Sequence, residues 1–171
     1  MTAKKPSNAI ALLKADHRKV AALFEDLDKA RKSERKVKLA RQICTELSIH
    51  ALAEEKIFYP ALYEAFAKKD IKLLDEAEVE HASLKELIAK VDGSSPEDNL
   101  FDAYLTVLKE YVTHHVKEEE SEMMPKAKKA DVDLVALGQE IAAFKERFQP
   151  LLDKASARPA SSRVDVPRLA A

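Results

Sequence analysis

Apolar residues recur along this chain at intervals of three and four, the spacing of one face of an α-helix. The pattern predicts five helices. The first begins after Asn8 and the second follows a turn at 30–33, while the third runs from about Asp70 to a turn at 92–96. The fourth follows that turn, and the fifth covers about 133–152. Long helices joined by short turns pack antiparallel, so we expect an all-α, up-down-up-down four-helix bundle with an additional C-terminal helix.

A histidine interrupts the apolar stripe about halfway along each of the first four predicted helices. In the second helix the predicted stripe passes from His50 through Glu54 to Ile57 and Ala61. In the fourth helix, the same periodicity places Glu122 on the core-facing side, so either the end of the bundle is open to water there or Glu122 lines an entrance. Mid-helix positions of an antiparallel bundle meet at one level, so the four histidines are expected to converge in one layer of the core.

The composition limits the classes of function. With 171 residues, of which only two are glycine, the chain suits one helical domain, predicted at 8–152, with a flexible, disordered tail at 153–171. The 29 basic and 30 acidic residues leave a net charge of −1, which predicts no nucleic-acid partner. No stretch approaches the ~20 apolar residues of a membrane span. The single Cys44 excludes internal disulfides and favours a cytoplasmic location. The tail is a candidate docking segment for a protein partner.

The histidines belong to an internal repeat. His17 and His81 are 64 residues apart, and His50 and His115 are 65 apart. The segments 50–60 and 115–125 align without a gap and share the histidine, two successive glutamates and a proline. On a helix, a histidine and a glutamate four residues later lie on one face. The repeat therefore predicts two similar helices that each present an imidazole and a carboxylate.

Imidazole and carboxylate together are ligands for transition metals. Burying four histidines and two carboxylates in one layer costs free energy that a bound cation offsets. A site with no thiolate favours iron, manganese or zinc. The near-symmetric split into two halves suggests two ions bridged by carboxylates. The six predicted metal ligands are His17, His50, Glu54, His81, His115 and Glu119.

These motifs resemble those of the hemerythrin-like, histidine-histidine-glutamate (HHE) cation-binding family. The resemblance covers about 8–127 and rests on Asp16-His17, on Glu80-His81 and on the two repeated segments. It implies a four-helix bundle that holds two non-haem iron ions and binds or responds to dioxygen, peroxide, nitric oxide or iron. Dioxygen-carrying hemerythrins have a fifth histidine on the third helix, and this chain lacks it. Glu78 is the only obvious substitute on that helix. Because the fifth histidine is missing, reversible oxygen carriage is disfavoured.

Two other functions remain open. A di-iron enzyme that consumes peroxide or acts as an oxidase would use the same centre, and differs from a sensor by turnover. A bundle that a zinc ion merely stabilises would show neither a chromophore nor a redox change. The sequence does not choose among them.

Residues beside the predicted ligands are candidates to support them. The repeat register selects His115 with Glu119 rather than His114 with Glu118. Tyr111 lies one turn before His115 and is either a hydrogen-bond donor to a ligand or a core aromatic residue whose hydroxyl contacts water. The carboxylates that adjoin a predicted ligand are candidates to contact an imidazole N–H group. They are Asp16, Glu55, Glu80 and Glu120.

Overall fold

The computed structural model describes the backbone of residues 8–156 and the side chains of residues 8–150. The described chain is helical, without strands. The α-helices are α1 Ala9–Lys29, α2 Ser33–Ala53, α3 Tyr59–Ala65, α4 Lys68–Asp92, α5 Phe101–Glu118, α6 Met124–Ala127 and α7 Leu134–Ser156. π-helical turns at Glu54–Phe58 and Glu119–Met123 join α2 to α3 and α5 to α6. The predicted helical bundle with an additional C-terminal helix is confirmed.

Local sequence signals set the ends of several helices. The Asn8 side chain accepts a hydrogen bond from the backbone N–H of Ala11 at 2.9 Å, which caps α1. The Asp133 side chain likewise accepts from Val135 and Ala136 ahead of α7. At the other end of a helix, α4 stops at Asp92, where Gly93 follows. Of the predicted tail, residues 153–156 continue α7, and residues 157–171 lie outside the described part of the chain.

The apolar stripes of α1 and α4 face the core as their periodicity predicts. Every predicted inward position of α4, from Leu74 to Val91, is buried. The core divides into two clusters on either side of the histidine layer: one includes Phe24 and Leu108, and the other includes Leu13. Helix α7 packs against α1 and α2. The polar layer is therefore enclosed by hydrocarbon at both ends.

The two π turns are the irregular feature that positions the site. In the first, the backbone N–H of Tyr59 donates to the carbonyl of Glu54, five residues earlier. Proline has no N–H and its ring clashes with the carbonyl four residues before it, so Pro60 disfavours a regular α-turn here. Pro125 occupies the same place after the second turn. Widened turns of this kind occur often at functional sites.

Each π turn shifts the buried register by about one residue. The buried side chains after Glu54 are Phe58, Tyr59 and Leu62. The predicted continuation of the stripe through Ile57 and Ala61 was wrong, because both are only half-buried. Glu122 is exposed for the same reason and does not face the core.

No helix within the described residues is both long and apolar enough to cross a membrane.

Candidate metal centre

The four mid-helix histidines and the two repeated glutamates lie together in the core. Glu54 and His81 are at most 1 % exposed, and the other four residues are also buried. Their nitrogen and oxygen atoms form two groups, and within each group the atoms lie within 4.8 Å of one another. The first group comprises His17, His50, Glu54 and Glu119, and the second comprises Glu54, His81 and His115.

The imidazole rings face one another in pairs. The Nε2 atoms of His17 and His50 are 3.1 Å apart, and those of His81 and His115 are 3.2 Å apart. The carboxylate of Glu54 lies between the pairs, with Oε1 3.1 Å from His50 Nε2 and Oε2 3.4 Å from His81 Nε2. Glu54 therefore lies between the two histidine pairs and close to both.

Glu119 is placed less symmetrically than the repeat predicts. Its Oε2 atom lies 3.2 Å from His17 Nε2, and the residue belongs to the first group alone. Burial raises the pKa of Glu119, and repulsion from Glu54 adds to this effect. Burial also raises the pKa of Glu54, but attraction to His50 outweighs it and holds that pKa well below its usual value.

The carboxylate oxygens provide a direct test of whether a cation fits. Both oxygens of Glu54 and both oxygens of Glu119 are buried and accept no hydrogen bond. Buried carboxylates without hydrogen bonds are costly, at several kcal/mol per ion. Cations between these oxygens and the facing Nε2 atoms would offset that cost. The donor set of imidazole and carboxylate, without thiolate, fits iron, manganese or zinc.

A second layer of four carboxylates fixes the orientation of the rings. Each accepts a hydrogen bond from a histidine Nδ1 atom, which leaves the Nε2 lone pair directed inward. The contacts are Glu120 to His17 at 2.8 Å, Asp16 to His50 at 3.2 Å, Glu55 to His81 at 3.1 Å and Glu80 to His115 at 2.7 Å. All four carboxylates adjoin a predicted ligand in sequence, and each supports a histidine on a different helix.

These outer carboxylates are held ionised. Burial raises the pKa of Asp16, Glu55 and Glu120, but hydrogen bonds to an imidazole and to a lysine outweigh it and lower each pKa. The hydrogen bond to His115 is the main cause of the lowered pKa of Glu80. Ionised carboxylates are acceptors only, so they require the proton of each imidazole on Nδ1.

A lysine pairs with three of the four outer carboxylates. Lys14 lies 2.8 Å from Glu120, Lys85 lies 2.6 Å from Glu55, and Lys145 of α7 contacts Asp16. The fourth, Glu80, faces the exposed His114 at 3.7 Å. His114 is therefore outside the buried layer, as the repeat register predicts.

Tyr59 is a site residue that the sequence reasoning missed. Its hydroxyl lies 3.3 Å from His81 Nε2, and the side chain is buried against that ring. The predicted candidate Tyr111 is only half-buried, and Glu78, the suggested substitute for a fifth histidine, is exposed. The π turn ahead of Pro60 rotates Tyr59 into the core. The proline was the signal that could have indicated this change of register.

Known proteins share these features. The family model for the hemerythrin HHE cation-binding domain matches residues 8–127. A solved structure of a hemerythrin HHE cation-binding domain-containing protein from Mycobacterium kansasii is similar, with a TM-score of 0.74 and 26 % identity. That match covers 88 % of this chain and 93 % of the other.

Two curated relatives are longer than this chain. A DNA nickase from Nostoc is 30 % identical over 69 % of this chain and 33 % of its own length. An uncharacterized hemerythrin-like protein from Schizosaccharomyces pombe is 25 % identical over 64 % of this chain and 54 % of its own. The chain thus matches about a third of one and about half of the other. On the extent of the family match and the geometry of the buried histidine–glutamate layer, this chain belongs to the hemerythrin HHE cation-binding domain family.

Proposed function

We propose that this chain is a non-haem di-iron protein that binds or responds to dioxygen, peroxide, nitric oxide or iron. One ion would be held by His17, His50 and Glu119, and the other by His81 and His115. Glu54 would bridge them. The observation that supports this proposal is the set of four buried carboxylate oxygens without hydrogen bonds, beside two pairs of facing Nε2 atoms.

Iron is proposed on chemical grounds. Imidazole and carboxylate donors suit iron, and carboxylate-bridged iron pairs recur in four-helix bundles. A bound iron pair supplies redox chemistry toward small oxidants. A reducing cytoplasm is the proposed location, because it maintains the ferrous iron that such a centre would take up.

The residues of the chain have separate roles in this proposal. The outer carboxylates Asp16, Glu55, Glu80 and Glu120 orient the imidazoles and require their protons on Nδ1. The apolar clusters above and below exclude water from the layer. The Tyr59 hydroxyl, 3.3 Å from His81 Nε2, is placed to donate a hydrogen bond or to supply an oxygen beside the His81–His115 pair.

A peroxide-consuming or oxidase-like enzyme is the alternative that uses the same residues. Turnover distinguishes it from a sensor, because catalysis needs repeated exchange of substrate. The relative from Nostoc is named a DNA nickase, and this chain matches only 33 % of its length. We propose no nucleic-acid partner here, because the net charge of −1 provides no overall positive charge to attract a polyanion. We also propose that the C-terminal tail at 153–171 binds a protein partner.

The first prediction concerns the metal. Protein purified from iron-supplemented cells should contain about two irons per chain, with near-ultraviolet bands that bleach with dithionite and return with peroxide. Elemental analysis and optical spectra measure both properties. Stoichiometric zinc with a featureless spectrum would instead support a purely structural metal.

The second prediction concerns the ligands. Replacing Glu54 or Glu119 by Ala should strip most of the metal, because each removes a buried carboxylate that faces the histidine pairs. Glu122→Ala should retain wild-type metal content, because the π turn exposes that side chain. Metal content after dialysis measures the difference. Metal loss in the Glu122 variant with retention in the Glu119 variant would show that the second π turn is assigned to the wrong register.

The third prediction concerns pH. Burial lowers the pKa of His50, but Glu54 and Asp16 outweigh it and raise the pKa to about 10. Glu54 and Glu55 outweigh burial at His81 and raise its pKa to about 9. In the metal-free protein these raised pKa values stabilise the fold fully below about pH 6.5, and the stability is lost as pH rises through them.

Metal binding needs neutral imidazoles, so it removes this dependence. From about pH 6.5 to about pH 9, the free energy of unfolding should fall for the metal-free protein and change little for the metal-filled protein, because its histidines are neutral and the unfolded histidines lose their protons near pH 6.5. Urea denaturation of both forms measures the slopes. Parallel slopes would contradict the placement of the metal on these histidines.

A further inference from the structure

A small pocket leads from the surface to the histidine layer between α4 and the end of α5. Its volume is about 20 Å³, enough for one water-sized species. Glu76, Glu80 and Glu118 line its outer part, and His115 and Glu119 line its inner part. The Glu119 side chain is 1 % exposed and both of its oxygens lack hydrogen bonds. The pocket therefore joins a carboxylate-lined mouth to a buried carboxylate that accepts no hydrogen bond.

The internal repeat allows the opposite side of the bundle to be compared directly. The positions equivalent to Glu76 and Glu118 are Leu12 and Ala53, by the offsets of 64 and 65 residues. Ala53 is fully buried, and Leu12 packs against the core cluster that contains Ile141 of α7. Helix α7 also supplies Lys145, which pairs with Asp16, the equivalent of Glu80. Helix α7 thus covers the side that corresponds to the pocket.

The pocket side of the bundle also differs from the opposite side in its ion pairs. Lysines pair with Asp16, Glu55 and Glu120, and Glu80 faces His114 instead. His114 Nε2 lies 3.7 Å from Glu80 Oε1 and 3.5 Å from Glu118 Oε1. One atom from each of these three residues fits within 4.8 Å of the others, a separation suited to one cation.

Glu80 connects this surface group to the buried layer. Its Oε1 atom faces His114, and its Oε2 atom accepts the hydrogen bond from His115 Nδ1 at 2.7 Å. His114 and Glu118 are about half or more exposed, so a hydrated cation reaches them directly. A cation held there lies at the mouth of the pocket that ends at Glu119.

We propose that Glu80, His114 and Glu118 form a transient loading site for a divalent cation at the mouth of this pocket. Cations pass from it through the pocket to Glu119 and the buried histidines. The site is weak because it is solvated, and its carboxylates raise the local cation concentration. This inference rests on the proposed metal centre and concerns how that centre is filled.

The test is the rate at which the metal-free chain takes up Co²⁺, followed by the visible absorption of bound cobalt in a stopped-flow instrument. The double variant His114→Gln with Glu118→Gln should load about tenfold more slowly at low ionic strength, with the final cobalt content of wild type. Glu118→Lys should slow loading further, and added salt should reduce that difference. Glu25→Gln is the matched control, because it removes one exposed carboxylate of α1 that is outside the pocket lining.

Equal loading rates in wild type, the Glu25 control and the double variant would overturn the loading site and leave the metal centre intact. A lower final cobalt content in the double variant would also overturn it, because these residues would then belong to the centre itself. Wild-type protein that takes up no cobalt would overturn both this inference and the proposed centre. Slow loading confined to the pocket variants supports the proposal.

Discussion

The core of this fold must compensate the negative charge of two buried carboxylates that accept no hydrogen bond. Glu54 and Glu119 are enclosed by helices. Their oxygens lie beside the Nε2 atoms of neighbouring imidazoles but accept no hydrogen bond. In the metal-free state, the raised pKa values of His50 and His81 place compensating positive charge beside Glu54. Metal cations would supply it in the filled state. The apolar clusters on both sides of the layer make that compensation necessary, because they exclude water from the carboxylates.

An approximate twofold repeat builds the layer, and its exceptions give the two halves different chemistry. Both halves have a histidine pair, a π turn and outer carboxylates that orient the rings. Tyr59 contacts His81 in one half, whereas the equivalent position in the repeat is Met124. Helix α7 covers the side of α1 and α2, and the side of α4 and α5 retains a pocket. The two halves therefore differ in their access to solvent.

The sequence predicted most of the fold and the six buried residues because two periodicities agreed. The 3.6-residue stripe determined which faces of α1 and α4 are buried, and the 64- and 65-residue repeat selected His115 over His114. The register after Glu54 and Glu119 was not predicted, because a π turn adds a residue that helical periodicity does not include. Ile57, Glu122 and Tyr59 were misplaced or missed for that single reason.

The contacts between helices were also not predicted from the sequence. The residues adjacent to the ligands were recognised as candidates to support imidazoles, but the pairing of Asp16 with His50, or of Glu80 with His115, depends on how the helices pack. The closure of one side by α7 depends on packing as well, since Lys145 is 129 residues from Asp16 in the chain.

Anomalous diffraction at the iron absorption edge, from crystals of the iron-loaded chain, is the most direct test of the central claim that Glu54 joins two cation sites. Two anomalous peaks should flank Glu54, one beside His17 and His50 and the other beside His81 and His115. A single peak, or peaks located only at the surface beside His114, would contradict a two-ion centre in the buried layer.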